Sequence, residues 1–593
     1  MHLKDLSFIS NQISGALLSS DGDIVWSPMP KFDRSPIFCR LLDENAGGHF
    51  SIKPLDEAKI SQVYIAPNIL ETTFQTLKGR AMITDFMPFG QTSIIRKVDT
   101  NIVLDLEIIP TFDYGRIKPS MEIKGDGMKF YVPNSTEGLE VRFFGLAVSS
   151  KGGHFSVNPS KGYIYILYSQ DISKGLFSEK GDLISYPKEA FERTMKYWEH
   201  LLPKEYRIKS PGTDDNGLEK LYSNSLSVIL GLFYAPSGAP ISAPTTSLPE
   251  TIGGSRNWDY RFIWVRDSCI MAAALTSAGL LSHGKKIIQF LMRIMDFSGK
   301  PFNQPLYELD GSAPFPEKTI DWLSGFKNSK PVRVGNSAYR QIQLDIEGFF
   351  IGALFDYYQK SKDKDFISES LWAIEYCADW VARNWKLGDA GIWEESTNQQ
   401  FTFSKAMMWA VLDKAGKLAS VAGKEDRWSE NAAAVKSWIM KNCIKDGHFV
   451  KFPGSDQVDG ALLNLPLIGF IKISDPIFDK TLKEIEKKLV LDGYVFRYRS
   501  DTLGEAKHPF TLCSTWLSRV YAGSGRTKEA TDLLLNISKI SQQNGLIGEH
   551  IDVENGDFLG NYPQGFAHAG LVIAINEIKN YTGLNQSVGK DAK

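Results

Sequence analysis

Two carboxylate-bearing segments, Gly391-Ile-Trp-Glu394-Glu395 and Gly545-Leu-Ile-Gly-Glu549-His-Ile-Asp552, are far apart in the chain, and each comes just before a long, largely apolar stretch. Glu394 and Glu549 are the residues best suited to chemistry. Hydrolysis of a glycosidic bond needs one carboxyl group to protonate the leaving oxygen and a second to activate water on the opposite face of the sugar. Two positioned glutamates meet that need with neither metal nor cofactor. Taken one at a time, the same segments also read as ordinary acidic residues near helix N-termini, where the helix dipole favours negative charge.

A third segment, Arg256-Asn-Trp258-Asp-Tyr260-Arg-Phe-Ile-Trp264-Val-Arg266-Asp267, concentrates aromatic, cationic and anionic side chains ahead of an apolar helix. Aromatic faces stack on sugar rings, while Arg and Asp hydrogen-bond ring hydroxyls. The same segment also reads as a structural Arg266–Asp267 pair with Asp267 capping the helix. Glu394 and Glu395 follow Trp393, and adjacent side chains on a loop cannot share one role, so one acts in catalysis while its neighbour binds substrate. Arg333, Gly335-Asn336, Gln341, Gln343 and Asp345 could bind hydroxyls or form a polar turn that caps a helix. Asp552-Val-Glu554-Asn555-Gly556-Asp557 lacks the spacing and final Glu of a calcium loop and reads as a turn. His550 and His568 read as structural histidines. There is no P-loop, no Gly-x-Gly-x-x-Gly after a strand, no Gly-x-Ser-x-Gly and no His-Glu-x-x-His. Phosphoryl transfer, nicotinamide chemistry, serine hydrolysis and zinc proteolysis therefore lose support.

The elements that must position these residues change in texture along the chain. Up to about residue 185, short aromatic or alternating runs such as Lys129–Val132, Val141–Phe144 and Tyr163–Tyr168 are separated by Gly, Asp, Asn and Pro turns, which predicts an antiparallel β-sandwich. Pro187 then opens a linker helix with Phe191, Met195, Trp198 and Leu202 on one face. From about residue 216 twelve helices are predicted: 216–232, 266–280, 282–298, 343–361, 364–386, 404–420, 425–445, 459–469, 475–490, 509–523, 526–543 and 563–582. The second and twelfth are apolar nearly all round, as a helix enclosed on every side should be, whereas the eleventh is amphipathic. Six hairpins of an outer and an inner helix close into an (α/α)6 barrel. In such a barrel the segments leading into the inner helices open on one end. Arg266-Asp267, Gln343 to Asp345, Glu394-Glu395 and Glu549 precede the second, fourth, sixth and twelfth helices, so they should converge. The expected domains are a sandwich over 1–185, a linker helix and connection over 186–215 and a catalytic barrel over 216–593.

Composition narrows the ligand. The 593 residues carry 67 basic and 69 acidic side chains for a net charge of −2, which provides no footprint for nucleic acid or an anionic membrane and suggests an uncharged substrate. A hydrophobic content of 43% with 12% aromatics is ample for large cores. Five scattered cysteines without a Cys-x-x-Cys pair argue against disulfides and zinc. The N-terminus does not read as a signal peptide, and no apolar run is long enough to span a membrane, so the expected location is the cytoplasm. A homo-oligomer is compatible with the sequence, which does not set the oligomeric state.

With these residues in place, the chain resembles glycoside hydrolase family 15, specifically its bacterial and archaeal glucoamylase-like and trehalase-like members. The resemblance rests on Gly22–Trp26 with Phe32-Asp33, Arg256–Arg261 with Trp264–Asp267, Pro331–Asn336, Gln341–Asp345, Gly391–Glu394 with Phe401–Lys405, and Glu549 with Leu559–Gln564. It implies an N-terminal β-sandwich of the supersandwich type joined to an (α/α)6 barrel, with Glu394 as general acid and Glu549 as general base. It also implies that Arg266 and Asp267 hold the non-reducing glucose, with Tyr260, Trp264 and Trp393 lining that region. Glu395 matches a substrate-binding carboxylate of fungal members that many prokaryotic relatives lack. The leading expectation is an inverting exo-acting α-glucosidase of the glucoamylase type that releases β-glucose from maltooligosaccharides, with Glu394 kept protonated by Trp393 and by like charge on Glu395. The alternative is a trehalase using the same acid, base and glucose subsite. A phosphorolytic enzyme would bind phosphate where Glu549 stands, and a non-catalytic glucan-binding protein would not need both carboxylates. No cofactor is expected.

Overall fold

The computed structural model describes residues 1–593 other than 125–126, 152, 175–186, 203–216, 396, 502–503, 542–543 and 589–593. Its N-terminal part is two eight-stranded antiparallel sheets. In the second sheet, Ser93–Thr100 and Ser160–Ser169 are central, and their apolar residues meet across the ladder: Ile166 pairs Ile94 on one side and Val141 on the other. Such β-branched pairs on one face stabilise a sheet and fix its register. The inner faces of the two sheets enclose a core that includes Ile24, Phe50, Ile52, Phe74, Ile83 and Leu104. Of the three strands foreseen from aromatic runs, Val141–Phe144 and Tyr163–Tyr168 lie within Gly138–Phe144 and Ser160–Ser169, and Lys129–Val132 runs one residue past the end of Gly127–Tyr131.

Helix α1 (Pro187–Leu201) follows, with Trp198 buried and Phe191 edge-on to Phe86 of the sandwich at 5.3 Å. The domain boundaries expected at 185–186 and 215–216 fall outside the described residues. The remaining helices are α2 (Leu218–Gly231), α3 (Val265–Ser277), α4 (Leu281–Arg293), α5 (Ile346–Ser361), α6 (Lys364–Glu369), α7 (Leu371–Asn384) and α8 (Thr402–Val421). They continue with α9 (Ser429–Asn442), α10 (Asn464–Leu467), α11 (Pro476–Leu489), α12 (Thr511–Gly523), α13 (Thr527–Ser541) and α14 (Gly565–Val588). Helices α3, α5, α8, α10, α12 and α14 form the inner ring, each touching the next, and α14 closes on α3. The rest form the outer ring.

Two expected helices differ. The fifth, foreseen as continuous over 364–386, breaks at Ser370 into α6 and α7. The eighth, foreseen over 459–469, shrinks to a 3₁₀ turn at Gly460–Leu463 and the single turn of α10. Pro466 has no N–H to extend that turn, and Gly469 ends it in a left-handed conformation at φ +86°. Among the described residues no helix is long and apolar enough to cross a membrane.

Arg261 ties the barrel to the sandwich. Fully buried, it forms a bidentate pair with Asp259, donates to the Arg34 carbonyl at 2.8 Å and to the Tyr114 hydroxyl at 2.8 Å. Replacing Arg261 by Ala strands a buried carboxylate, and the expected loss is about 3–5 kcal/mol of stability. Urea unfolding followed by circular dichroism measures it; a midpoint equal to wild type would show that the pair does not hold the junction.

Candidate active site

The segments that enter the inner helices converge on one end of the barrel around a cavity of about 250 Å³. Tyr260, Trp264, Arg266, Asp267, Trp393, Glu394, Glu395 and Glu549 all line it. Its framework is an aromatic pair. Tyr260 and Trp264 meet edge to face with centroids 5.2 Å apart, and each presents its polar end to one of the two acids. The Tyr260 hydroxyl donates to Glu549 Oε1 at 2.8 Å, and Trp264 Nε1 donates to Glu394 Oε1 at 3.3 Å. The two glutamates are thus held apart by rigid rings.

Glu394 sits in the α7–α8 connection at φ +59°, a left-handed conformation that a non-glycine residue adopts at some cost and that recurs at functional sites. The backbone there is clamped by Glu395 N to Ala390 O at 2.9 Å and Glu394 N to Gly391 O at 3.2 Å. Besides Trp264, Arg266 Nη2 at 3.0 Å and Gln343 Nε2 at 3.2 Å also donate to Glu394 Oε1. Among the described residues no donor reaches Oε2. A proton on this acid therefore belongs on Oε2, the oxygen free of donors. The expected environment for that proton is corrected in two respects: Glu395 lends no free like charge, because its carboxylate is buried against Lys451 Nζ at 2.5 Å, and Glu394 itself stands in an ion pair with Arg266. Trp393 is itself anchored, with Nε1 donating to Asp459 Oδ2 at 2.9 Å.

Glu549 lies in the α13–α14 connection just before the hairpin His550–Asp552/Asp557–Leu559. Its carbonyl accepts from Thr511 N at 2.9 Å. His568 Nε2 accepts from Ile547 N at 3.1 Å, fixing the approach to the acid. Gly560, at φ +79°, passes so close that a Cβ there would come within 2.6 Å of Glu549 Oε2. Burial raises the Glu549 carboxyl well above the usual range, and the neighbouring Glu250 adds to this; Arg497 and the Tyr260 hydroxyl pull the other way. A carboxylate raised in this way is a stronger base, as proton abstraction from water near neutral pH requires.

The Arg266–Asp267 pairing expected from adjacency does not form. Arg266 Nη1 binds Asp345 Oδ2 at 3.0 Å and Gln343 Oε1 at 2.9 Å, while Nη2 reaches Glu394. Nor does Asp267 cap α3: Trp264 occupies that position, and Asp267 is the third residue of the helix, buried at the cavity wall with its carboxyl raised to about 6 by burial. Gln341 donates to the Glu394 carbonyl at 3.1 Å, so Gln341, Gln343 and Asp345 brace the acid. Asn336 is spent on the local turn, accepting from Ala338 N, and Arg333 stacks on Trp258 at 4.5 Å. The Asp552–Asp557 segment is a hairpin turn closed by Asn555 on Asp552.

Several site residues escaped sequence reasoning, two of them beside Glu549. Arg497 and Glu250 form an ion pair of 2.5 Å beside Glu549. Arg497 precedes the inner helix α12 and Glu250 lies in the connection leading into the inner helix α3, so the rule that gathers Glu394 and Glu549 also reaches both. Glu250, Glu549 and His550 offer ligand atoms within 4.8 Å of one another, a spacing a metal ion could use, although Arg497 already brings positive charge to Glu250. Burial and the Arg497 charge keep His550 neutral.

Two glutamates fixed on opposite ends of an aromatic pair, in the mouth of an (α/α)6 barrel, are an arrangement suited to glycoside hydrolysis. The chain belongs to Glycosyl hydrolases family 15, whose profile matches residues 218–576, and a trehalase-like N-terminal profile matches residues 1–154. It is 45% identical to Trehalase 1 of Sulfolobus acidocaldarius over 97% of this chain and 99% of that one. It is 32% identical to a trehalase of Thermoplasma volcanium over 95% and 92%. A crystal structure of a bacterial glucoamylase complexed with acarbose matches with a TM-score of 0.71 at 14% identity, covering 98% of this chain and 94% of the other, which establishes the fold.

Tyr260→Phe removes a donor to the Glu549 carboxylate and so raises its pKa further. Because a base works only when deprotonated, the acidic limb of the pH–rate profile should move to higher pH by about 1–2 units, the equivalent of a hydrogen bond to a charged group of about 1.5–3 kcal/mol. An unmoved acidic limb would separate Tyr260 from the base.

Proposed function

We propose that this protein is a trehalase, cleaving α,α-trehalose with water to two glucose molecules. The observation that carries trehalose over the maltooligosaccharides of the leading sequence expectation is the 45% identity to a trehalase across 97% of the chain. The cavity suits that reading. At its rim Arg256 is pinned to Asp501 at 2.7 Å and to the Tyr498 hydroxyl at 2.9 Å, a fixed polar wall for a second complete glucose ring. The five buried, unpaired cysteines suit a reducing cytoplasm.

In the reaction Glu394 Oε2 gives its proton to the bridging oxygen as Glu549 takes one from the water attacking the other face of C1. The negative charge then left on Glu394 meets Arg266, Trp264 and Gln343, donors already aimed at Oε1 that need no reorganisation. Asp267 holds hydroxyls of the glucose that is attacked. The attacked ring leaves as β-glucose and the leaving ring keeps its α configuration.

Proton NMR of early products decides this. Trehalose should yield α- and β-glucose in equal amounts, whereas maltose and maltotriose should react slowly. Two α-glucose molecules would mean retention, and faster maltotriose hydrolysis would return the glucoamylase reading. Glu394→Gln and Glu549→Gln should each lower turnover by about 10²–10⁴ with folding intact; near-normal turnover in either would remove that residue from the chemistry.

Asp267→Ala leaves Arg266 with both of its acids, so stability should change little while kcat/KM on trehalose collapses. A loss of about 0.5–2 kcal/mol in stability with catalysis kept would make Asp267 a helix-end residue instead.

A further inference from the structure

The barrel axis holds a second cavity, about 450 Å³, at the end opposite the acids. Ile270 and Trp516 line both cavities, so the two lie back to back across a shared wall. The sequence of the inner helices explains why this space is not filled. Ala273, Gly352, Ala410 and Gly570 face it from α3, α5, α8 and α14, and such small side chains cannot reach the axis. Beyond them the lining turns polar, with Asp356, Lys414, Asn576 and Asn580.

The charges in this cavity are arranged unusually for a structural core. Arg519 and Glu577 satisfy each other in a bidentate pair of 2.9 and 2.8 Å. Asp356 and Lys414 do not: both line the cavity, yet among the described residues neither is within ion-pair distance of an opposite charge. Lys414 lies against the Phe355 ring, 5.6 Å from its centroid. Asp356 is exposed at the cavity mouth, where the surrounding protein raises its carboxyl while Lys414 and Arg519 oppose the rise. A donor and an acceptor that face one cavity without closing on each other leave a gap for a ligand with both functions.

We propose that this cavity is a second, non-catalytic binding site for a neutral monosaccharide. With Arg519 and Glu577 satisfied by each other, Asp356, Lys360 and Lys414 remain on the lining, so a cation would meet two lysines and a phosphate-like anion would meet the Asp356 carboxylate. A polyol can instead donate to Asp356, accept from Lys414 and do both with the amides of Asn576 and Asn580. Trp516 adds an aromatic surface at the shared wall, and the whole follows the pattern of small-ligand sites: an apolar concavity with a few convergent polar groups. That the monosaccharide is glucose, the reaction's own product, rests on the trehalase reading; the existence of the site does not.

Equilibrium dialysis of labelled glucose against the full chain tests this. The wild type should bind one glucose per chain more than the catalytic cavity alone holds. Asp267→Ala, altered in the catalytic cavity, should keep that additional glucose. Asp356→Asn and Lys414→Met should each bind one glucose fewer than the wild type, with trehalose turnover unchanged, and the two variants guard against misfolding of either. A glucose stoichiometry in both of these variants equal to that of the wild type would overturn the proposal. If the additional glucose is lost in both variants but the protein fails to cleave trehalose, the site stands and the substrate assignment falls.

Discussion

A helix in the inner ring of this barrel is enclosed on every side, and most of the architecture follows from that constraint. It must be apolar nearly all round, as in α3 and α14, and it must end where polar side chains can reach solvent. Its lead-in segment cannot be buried in the ring, so all six lead-ins emerge at one end, alternating with outer helices that carry the charge. Catalytic groups placed on those segments are gathered without any requirement that they be close in sequence. The same enclosure leaves an axial space wherever small residues face inward, which is why both cavities lie on the axis.

Electrostatics within the mouth is organised by two arginines. Arg266 is shared between Asp345 and Glu394, and Arg497 between Glu250 and the field at Glu549. Each brings positive charge to an acid in a place too buried for solvent to supply it, where an unpaired carboxylate would be costly. The aromatic pair Tyr260 and Trp264 keeps the acids from collapsing onto a common cation. Rigid rings spend little conformational entropy on this task, and their polar ends add the hydrogen bonds that set each carboxylate's orientation.

Much of this was legible in the order of residues. Helix periodicity located the outer and inner helices, alternation located strands such as Ser160–Ser169, and the lead-in rule brought Glu394 and Glu549 together. The failures have local causes. Ser370 interrupts a helix whose apolar pattern is continuous, since a break leaves the burial pattern of α6 and α7 unchanged. The eighth helix was overestimated because Pro466 and Gly469 were outweighed by the apolar run around them. Adjacent residues suggested an Arg266–Asp267 pair, but consecutive side chains on a helix point about 100° apart, so Arg266 turns to Asp345 instead.

The sequence by itself determined the elements, their inner or outer placement and the two carboxylates, because periodicity and residue type are local properties of the chain. Tertiary structure alone decided which charges are paired. Glu395 meets Lys451, Glu250 meets Arg497, and among the described residues Asp356 and Lys414 form no ion pair, since each outcome depends on distances between segments many residues apart. It also decided which oxygen of Glu394 is free to carry a proton, a matter of three donors arriving from two other connections. Pairing in a barrel mouth is set by the closure of the ring, and no single segment contains that information.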